Sequence, residues 1–183
     1  MKTFKKTTAL FVFVFSFLCL HQCSNNRYGI EGHWRLLREK SSSIDPWSTL
    51  TLDIGLQNDT VVIVKTYSAG NPHDVRKDSI RVNTRGTEQT LPMPSDRWLG
   101  EVSMGVYYKP SSFRHVTASW NADGKELGME VRETLETSQG EIETTTRKTY
   151  TVSPDASTLI VAEKRSTRLS GPSMGYEFVR VAK

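Results

Sequence analysis

KELGMEVRETLETSQGEIETTTRKTYTV, residues 125–152, is two alternating runs on either side of a Ser-Gln-Gly turn. In the first run Leu127, Met129, Val131 and Leu135 fall on one face, and Glu130 and Glu136 on the other. Period two is the signature of a half-buried strand, and a short polar turn between two such runs reads as an antiparallel hairpin. One position breaks the pattern: Glu133 interrupts the apolar face before Leu135. The second run puts Ile142, Thr144, Thr146, Lys148, Tyr150 and Val152 on one face, a mixture of apolar and polar groups. A dry core does not hold an unpaired carboxylate. A wall that meets water and a ligand tolerates one, and a few polar groups in an apolar lining are typical of a small-molecule pocket.

The same alternation recurs along the chain. In STLTLDIGL (48–56) Leu50, Leu52, Ile54 and Leu56 share a face. TVVIVKTY (60–67) is β-branched, and EVSMGVYY (101–108) places Val102, Met104, Val106 and Tyr108 together. HVTASW (115–120) aligns Val116, Ala118 and Trp120, and STLIVAEKR (157–165) and MGYEFVRV (174–181) close the series. Turn chemistry separates the runs at 121–124, 138–140, 153–157 and 170–172. About 150 residues follow the N-terminal leader, enough for one domain with a sizeable core. The expected fold is all-β, a single antiparallel up-and-down β-barrel of about eight to ten strands spanning 32–183. A β-sandwich is the alternative. The two longest connections, SAGNPHDVRKD (68–78) and TEQTLPMPSDRW (87–98), carry prolines and are expected to be mobile loops at one rim.

The first of these strands opens with Gly32, a spacer and Trp34, and the last contains Arg180 in YEFVRV. With the DGK turn at 123–125 and the SPDASTL hairpin at 153–159, this resembles the lipocalin family, and more closely the small lipocalin-like (calycin) proteins of bacteria. The resemblance implies a barrel whose closed end is plugged by Trp34, with Arg180 packed across it, and a ligand held in the cup.

Residues 1–22 read as an export leader. Lys2, Lys5 and Lys6 precede an apolar run from Ala9 to Leu20. Those twelve residues span about 18 Å as a helix, short of the roughly 30 Å hydrocarbon core. No bond between Phe17 and Asn26 offers the small-residue pair of ordinary signal cleavage. Instead LHQC, ending at Cys23, resembles the lipobox of bacterial lipoproteins, which implies a diacylated Cys23 at the new N-terminus and a membrane anchor. Residues 23–31 form a polar tether. The expected location is the bacterial cell envelope, facing the periplasm. Cys19 and Cys23 are the only cysteines, so the domain beyond them has no disulfide or thiol chemistry. Removing three leader lysines from a formal charge of +4 leaves a nearly neutral chain, which gives no electrostatic case for nucleic acid.

Catalytic patterns fail on chemistry. GPSMG (171–175) fits G-x-S-x-G, but no histidine lies beyond His115 and a strand-like segment follows Ser173, where the motif needs a helix. His33, His73 and His115 lack metal-ligand spacing. Glu130, Glu133, Glu136, Glu141 and Glu143 are close together, yet alternation places Glu130 and Glu136 on a solvated face. The expectation is a non-enzymatic monomer without cofactor or metal, binding a small hydrophobic or amphiphilic ligand. Met104, Tyr108, Trp120, Met129, Val131, Glu133, Thr146 and Tyr150 would line its cup. Glu133 would meet a cationic or hydrogen-bond-donating group of the ligand, with burial raising its pKa. The alternative function is a module with a filled β core that docks an envelope protein or glycan.

Overall fold

The hairpin at 125–152 forms as two long strands, Glu126–Thr137 (β8) and Gly140–Val152 (β9), in unbroken antiparallel register from Glu126↔Thr151 to Thr137↔Gly140. It belongs to a computed structural model that describes residues 29–71, 73–95, 106–166 and 173–182. The leader, Cys23 and Met104 lie outside the described residues. The other strands are β1 (Gly32–Leu36), β2 (Thr49–Gln57), β3 (Thr60–Ser68), β4 (Val75–Asn83), β5 (Gln89–Pro92), β6 (Val106–Tyr108), β7 (Phe113–Trp120), β10 (Thr158–Arg165) and β11 (Met174–Val181). A 3₁₀ turn, Arg38–Lys40, follows β1.

All strands join one sheet in the order β4-β3-β2-β1-β11-β10-β9-β8-β7-β5, and β6 pairs with the far end of β8. Neighbours in space are neighbours in sequence except at the β1–β11 closure and around short β6, where β7 pairs with β5 and β6 with β8; this is the mark of an up-and-down barrel. A single continuous sheet rules out the sandwich. The fold is the expected all-β, antiparallel barrel, nearly closed, with eleven described strands.

Two segments expected to be loops carry strands instead. Residues 75–78 begin β4, and 89–92 form β5. Charged Arg76 and Asp78 occupy the inward positions of β4, which erased the apolar alternation. Pro92 reads as a breaker, yet proline is tolerated on an edge strand, and β5 is one.

Strand direction gives the barrel two unlike ends. At the base lie the start of β1, the end of β11 and the tight β2–β3, β7–β8 and β10 hairpin turns. In the β7–β8 turn Gly124 takes φ +67°, and its N–H donates to Asn121 O at 2.9 Å. Such a left-handed turn position is cheap only without a Cβ. At the mouth lies the 37–48 connection, whose Ile44 and Trp47 are buried against the main core. That core fills the base and continues to the mouth along β1–β3 and β11 through Leu36, Leu50, Tyr67 and Tyr176; Trp34, Val61, Leu127, Leu159 and Val116 are fully buried, with Leu52, Ile63 and Phe178 beside them. Burying each large aliphatic side chain contributes roughly 1.5–3 kcal/mol.

The base is finished by the Gly-x-Trp segment. Trp34 Nε1 donates to Ile30 O at 2.9 Å, and Ile30 is itself buried. Arg180 stacks 4.2 Å from the indole centroid and donates to the carbonyls of Ala156, Glu31 and Gly29. Gly32 is required here. A Cβ at this position would stand 2.4 Å from Arg180 Nη1, and its φ of +142° disfavours any other residue.

Between β4 and β5 the sheet does not close by a strand ladder. Near the base an isolated Arg85↔Ser119 bridge and the Gly86 N–H to Ala118 O bond draw the two sides together. Nearer the mouth, a side chain crosses: Arg114 of β7 donates from Nη1 to Asp78 Oδ2 at 3.1 Å and from Nη2 to Ser79 O at 2.5 Å. A groove of about 410 Å³ runs along this seam, lined by Lys77, Asp78, Arg81, Leu91, Met93 and Arg114.

Candidate functional site

Alternation combined with the observed register defines the inner wall of the mouth half. Register pairs Arg114 with Glu133, Glu133 with Thr144, Val131 with Thr146, and Met129 with Lys148, which in turn faces Glu163. Lys65 pairs with Asp78 across β3 and β4. Lys65, Arg114, Thr144, Thr146, Lys148 and Glu163 are all buried. The wall of the mouth half formed by β7–β10, with Lys65 and Asp78 across from it, therefore holds charge, while Leu36, Leu50, Tyr67 and Tyr176 keep the rest apolar.

These charges are organised. Glu163, 1 % exposed, accepts from Arg165 Nε at 2.6 Å on Oε1, and its Oε2 stands 2.8 Å from Lys148 Nζ as an ion pair without hydrogen-bond alignment. Arg114, 3 % exposed, holds Asp78, whose Oδ1 stands 3.0 Å from Nη2 without hydrogen-bond alignment. Burial opposes the Arg114 charge, but the Asp78 carboxylate, with Tyr108 and Glu133, outweighs it and holds the guanidinium pKa above its usual value. Glu133 lies in the middle. Burial pushes its carboxyl pKa up, against the pull of Lys148, Arg114 and Lys65 and with the push of Asp78.

The expected lining residues are not all brought together. Val131, Glu133 and Thr146 sit side by side on the β8–β9 wall, with Met129 and Tyr150 towards the base, all facing inward. Tyr108 lies beside Leu135 in a separate apolar cluster with Met93 and Val106 at the mouth. Trp120 pairs with Leu127 at the base, six residues along β7 from Arg114 and so roughly 20 Å from the Glu133 level. It packs on the core there. The charged partners Lys65, Asp78, Arg114, Glu163 and Arg165 were not anticipated. Their signal was present as parity, since Lys65 follows Val61 and Ile63 on one face, and Glu163 follows Leu159 and Val161.

Catalytic geometry is not assembled around the other candidates. Ser173 leads directly into β11, a strand and not a helix. His33 Nδ1 contacts Asp53 Oδ1 at 2.5 Å on the outer face, and His115 meets Glu88 and Thr90 in the open. Among the described residues, no cluster of three or more His, Cys, Asp or Glu could hold a metal ion, and no helix is long and apolar enough to cross a membrane.

No family model and no curated protein matches the chain. Among solved structures it is similar to secretory abundant heat soluble protein 4 from Ramazzottius varieornatus, at 13% identity and TM-score 0.49, over 83% of this chain and 94% of that one. It is also similar to the fatty-acid-binding protein isolated from Manduca sexta, at 9% identity and TM-score 0.43, over 81% and 97% respectively.

Proposed function

We propose that this is a non-enzymatic binding protein that holds a small, partly apolar ligand in the mouth half of its barrel, anchored in the bacterial envelope through Cys23. The observation that carries the reading is the inner wall itself. A barrel built only for stability would fill both halves with hydrocarbon, because replacing buried ion pairs by apolar side chains is often neutral or stabilising. Here Lys148, Glu163, Arg165, Arg114, Asp78 and Glu133 occupy one half, next to apolar Val131 and Met129. Convergent polar groups beside an apolar surface suit a molecule with one polar and one apolar part.

A second reading, a module that docks an envelope protein or glycan, draws support from a groove of about 630 Å³ on the outer face. Gly55 leaves it open between Asp53, Val62, Val64 and Arg81. The two readings separate on titration of the purified chain with Nile red, an uncharged fluorophore. Saturable one-to-one binding, abolished by Val131→Trp in a variant that keeps its β-sheet circular dichroism, supports the cup. Absence of binding, or binding indifferent to Val131→Trp, favours the outer surface.

A further inference from the structure

The seam beside β4 leaves a strand edge without a partner strand. In an antiparallel ladder, residues alternate between exchanging bonds with their neighbour and facing away from it. Ala69 N–H donates to Asp74 O at 3.3 Å, so the even-numbered residues of β4 bond to β3, with Arg76 opposite Tyr67, Asp78 opposite Lys65 and Ile80 opposite Ile63. The odd-numbered residues therefore turn their N–H and C=O groups to the seam. Side chains stand in for a strand at two of them. Gln89 Oε1 accepts from Asn83 N–H at 3.1 Å, and Ser79 O accepts from Arg114 Nη2 at 2.5 Å. The N–H groups of Lys77, Ser79 and Arg81, and the C=O groups of Lys77 and Arg81, meet no backbone partner among the described residues.

β5 cannot complete this ladder. Met93 N–H donates to Ser112 O, so Gln89 and Leu91 bond to β7 while Thr90 and Pro92 face the seam. Pro92 has no N–H to give. What persists between the strands is the groove of about 410 Å³, with Leu91 and Met93 on its β5 side and exposed Lys77 and Arg81 on its β4 side. Arg81 donates to Gln57 Oε1 at 3.2 Å, and the Lys77 ammonium has no side-chain partner among the described residues. These cations decide what can dock. If two copies of β4 paired antiparallel about Ser79, Lys77 of each would stand opposite Arg81 of the other, and like charges directly opposite are destabilising. An acidic strand meets the same two cations favourably.

We propose that β4 takes an extended acidic segment of a partner protein by strand addition. The segment's backbone pairs with Lys77, Ser79 and Arg81. Two of its acidic residues, four apart, lie beside Lys77 and Arg81, which are about 13 Å apart along the strand. Its intervening apolar residues turn inward, towards Leu91 and Met93. Main-chain bonds then give affinity and alternate side chains give specificity, as in other cases of strand addition. The groove lies at the sheet edge, so this site does not depend on a ligand cup.

Fluorescence anisotropy of the purified chain with a labelled heptapeptide, Gly-Glu-Val-Thr-Val-Glu-Gly, tests it. The peptide should bind saturably at one to one, about tenfold tighter than its counterpart with lysine for both glutamates. Ser79→Pro removes one seam-facing N–H without touching the β3 ladder, and should abolish binding while the β-sheet circular dichroism is kept. N-methylation of the two glutamate amides, the donors to Lys77 O and Arg81 O, should abolish it in the native protein. Lys77→Glu combined with Arg81→Glu should reverse the preference to the lysine peptide, and Val131→Trp should change nothing. No binding, equal binding of the two peptides, or binding that survives N-methylation overturns the proposal. A dimer by sedimentation that Ser79→Pro dissolves, and that excludes the peptide, gives the edge to a second copy instead. Should Ser79→Pro fail to fold, the N-methylated peptide decides alone.

Discussion

The guanidinium of Arg180 lies over the indole of Trp34 at 4.2 Å, and its three donors tie Ala156, Glu31 and Gly29 to the same point. One side chain from the last strand thus locks the first strand, the segment before it and the β10 turn. Trp34→Ala should cost roughly 3–5 kcal/mol, the usual loss on truncating a large core aromatic. Arg180→Ala should cost less. Because the two groups touch, urea unfolding of the singles and the double should show non-additivity of about 0.5 kcal/mol or more. Strictly additive losses would mean that the stacking contributes nothing.

Arg114 crosses the seam between β4 and β5 from a buried position. Arg114→Met leaves Asp78 facing the interior without its counter-charge, and such a loss costs about 3–5 kcal/mol. Adding Asp78→Leu should recover part of that stability, because the orphaned carboxylate goes with it. Amide exchange should quicken in Val75–Asn83 and Gln89–Pro92 before it does in β8 and β9. Uniform acceleration across all strands would show that the seam has no local role.

Glu133 has a folded-state pKa above its usual value of 4.5, raised chiefly by burial. Between that value and the raised one, the folded chain holds a proton that the unfolded chain has released. Stability must therefore fall as pH rises through this interval. Glu133→Gln should flatten the profile there and gain stability above it. The check is the urea midpoint of both proteins from pH 4 to pH 8 (working range, chosen about the ordinary carboxylate value). A native protein that gains on the variant as pH rises would reverse the sign and sink the assignment.

Cys23 stands at the end of Leu20–Cys23, the lipobox-like stretch. Intact-mass measurement of the chain from a bacterial envelope should find a diacylglycerol adduct on Cys23 as the first residue. Cys23→Ala should abolish the adduct and release the protein from membranes or leave an unprocessed precursor. An unmodified chain starting elsewhere would end the lipoprotein proposal.

Much of this architecture was legible because the alternation is carried by residues that do only one thing. Leu50, Leu52 and Ile54 point inward and nothing else competes for the reading. Gly32, Trp34 and Arg180 were legible for a different reason, since the contact among them needs those three side chains and tolerates few others. The charged wall was partly hidden. Parity put Glu133 and Lys148 on an inner face, but whether a carboxylate there meets water, a cation or another carboxylate depends on which strand lies opposite. Register supplies that, pairing Arg114 with Glu133 and Lys148 with Glu163. β4 shows the same limit: its inward Arg76 and Asp78 look like a loop until the Asp78–Arg114 pair is seen.

The closure of β1 on β11, with His33 opposite Val181, puts the start of the first strand and the end of the last at the base beside Trp34. That fixes a compass bearing for the molecule. If Cys23 is lipidated as proposed, the tether would join the barrel at its floor and the rim would be the end farther from the anchor. Nine-residue strands, tilted as barrels demand, set the rim roughly 25 Å from that floor. Under that proposal the open end would face the surrounding fluid and the plugged floor would face the membrane.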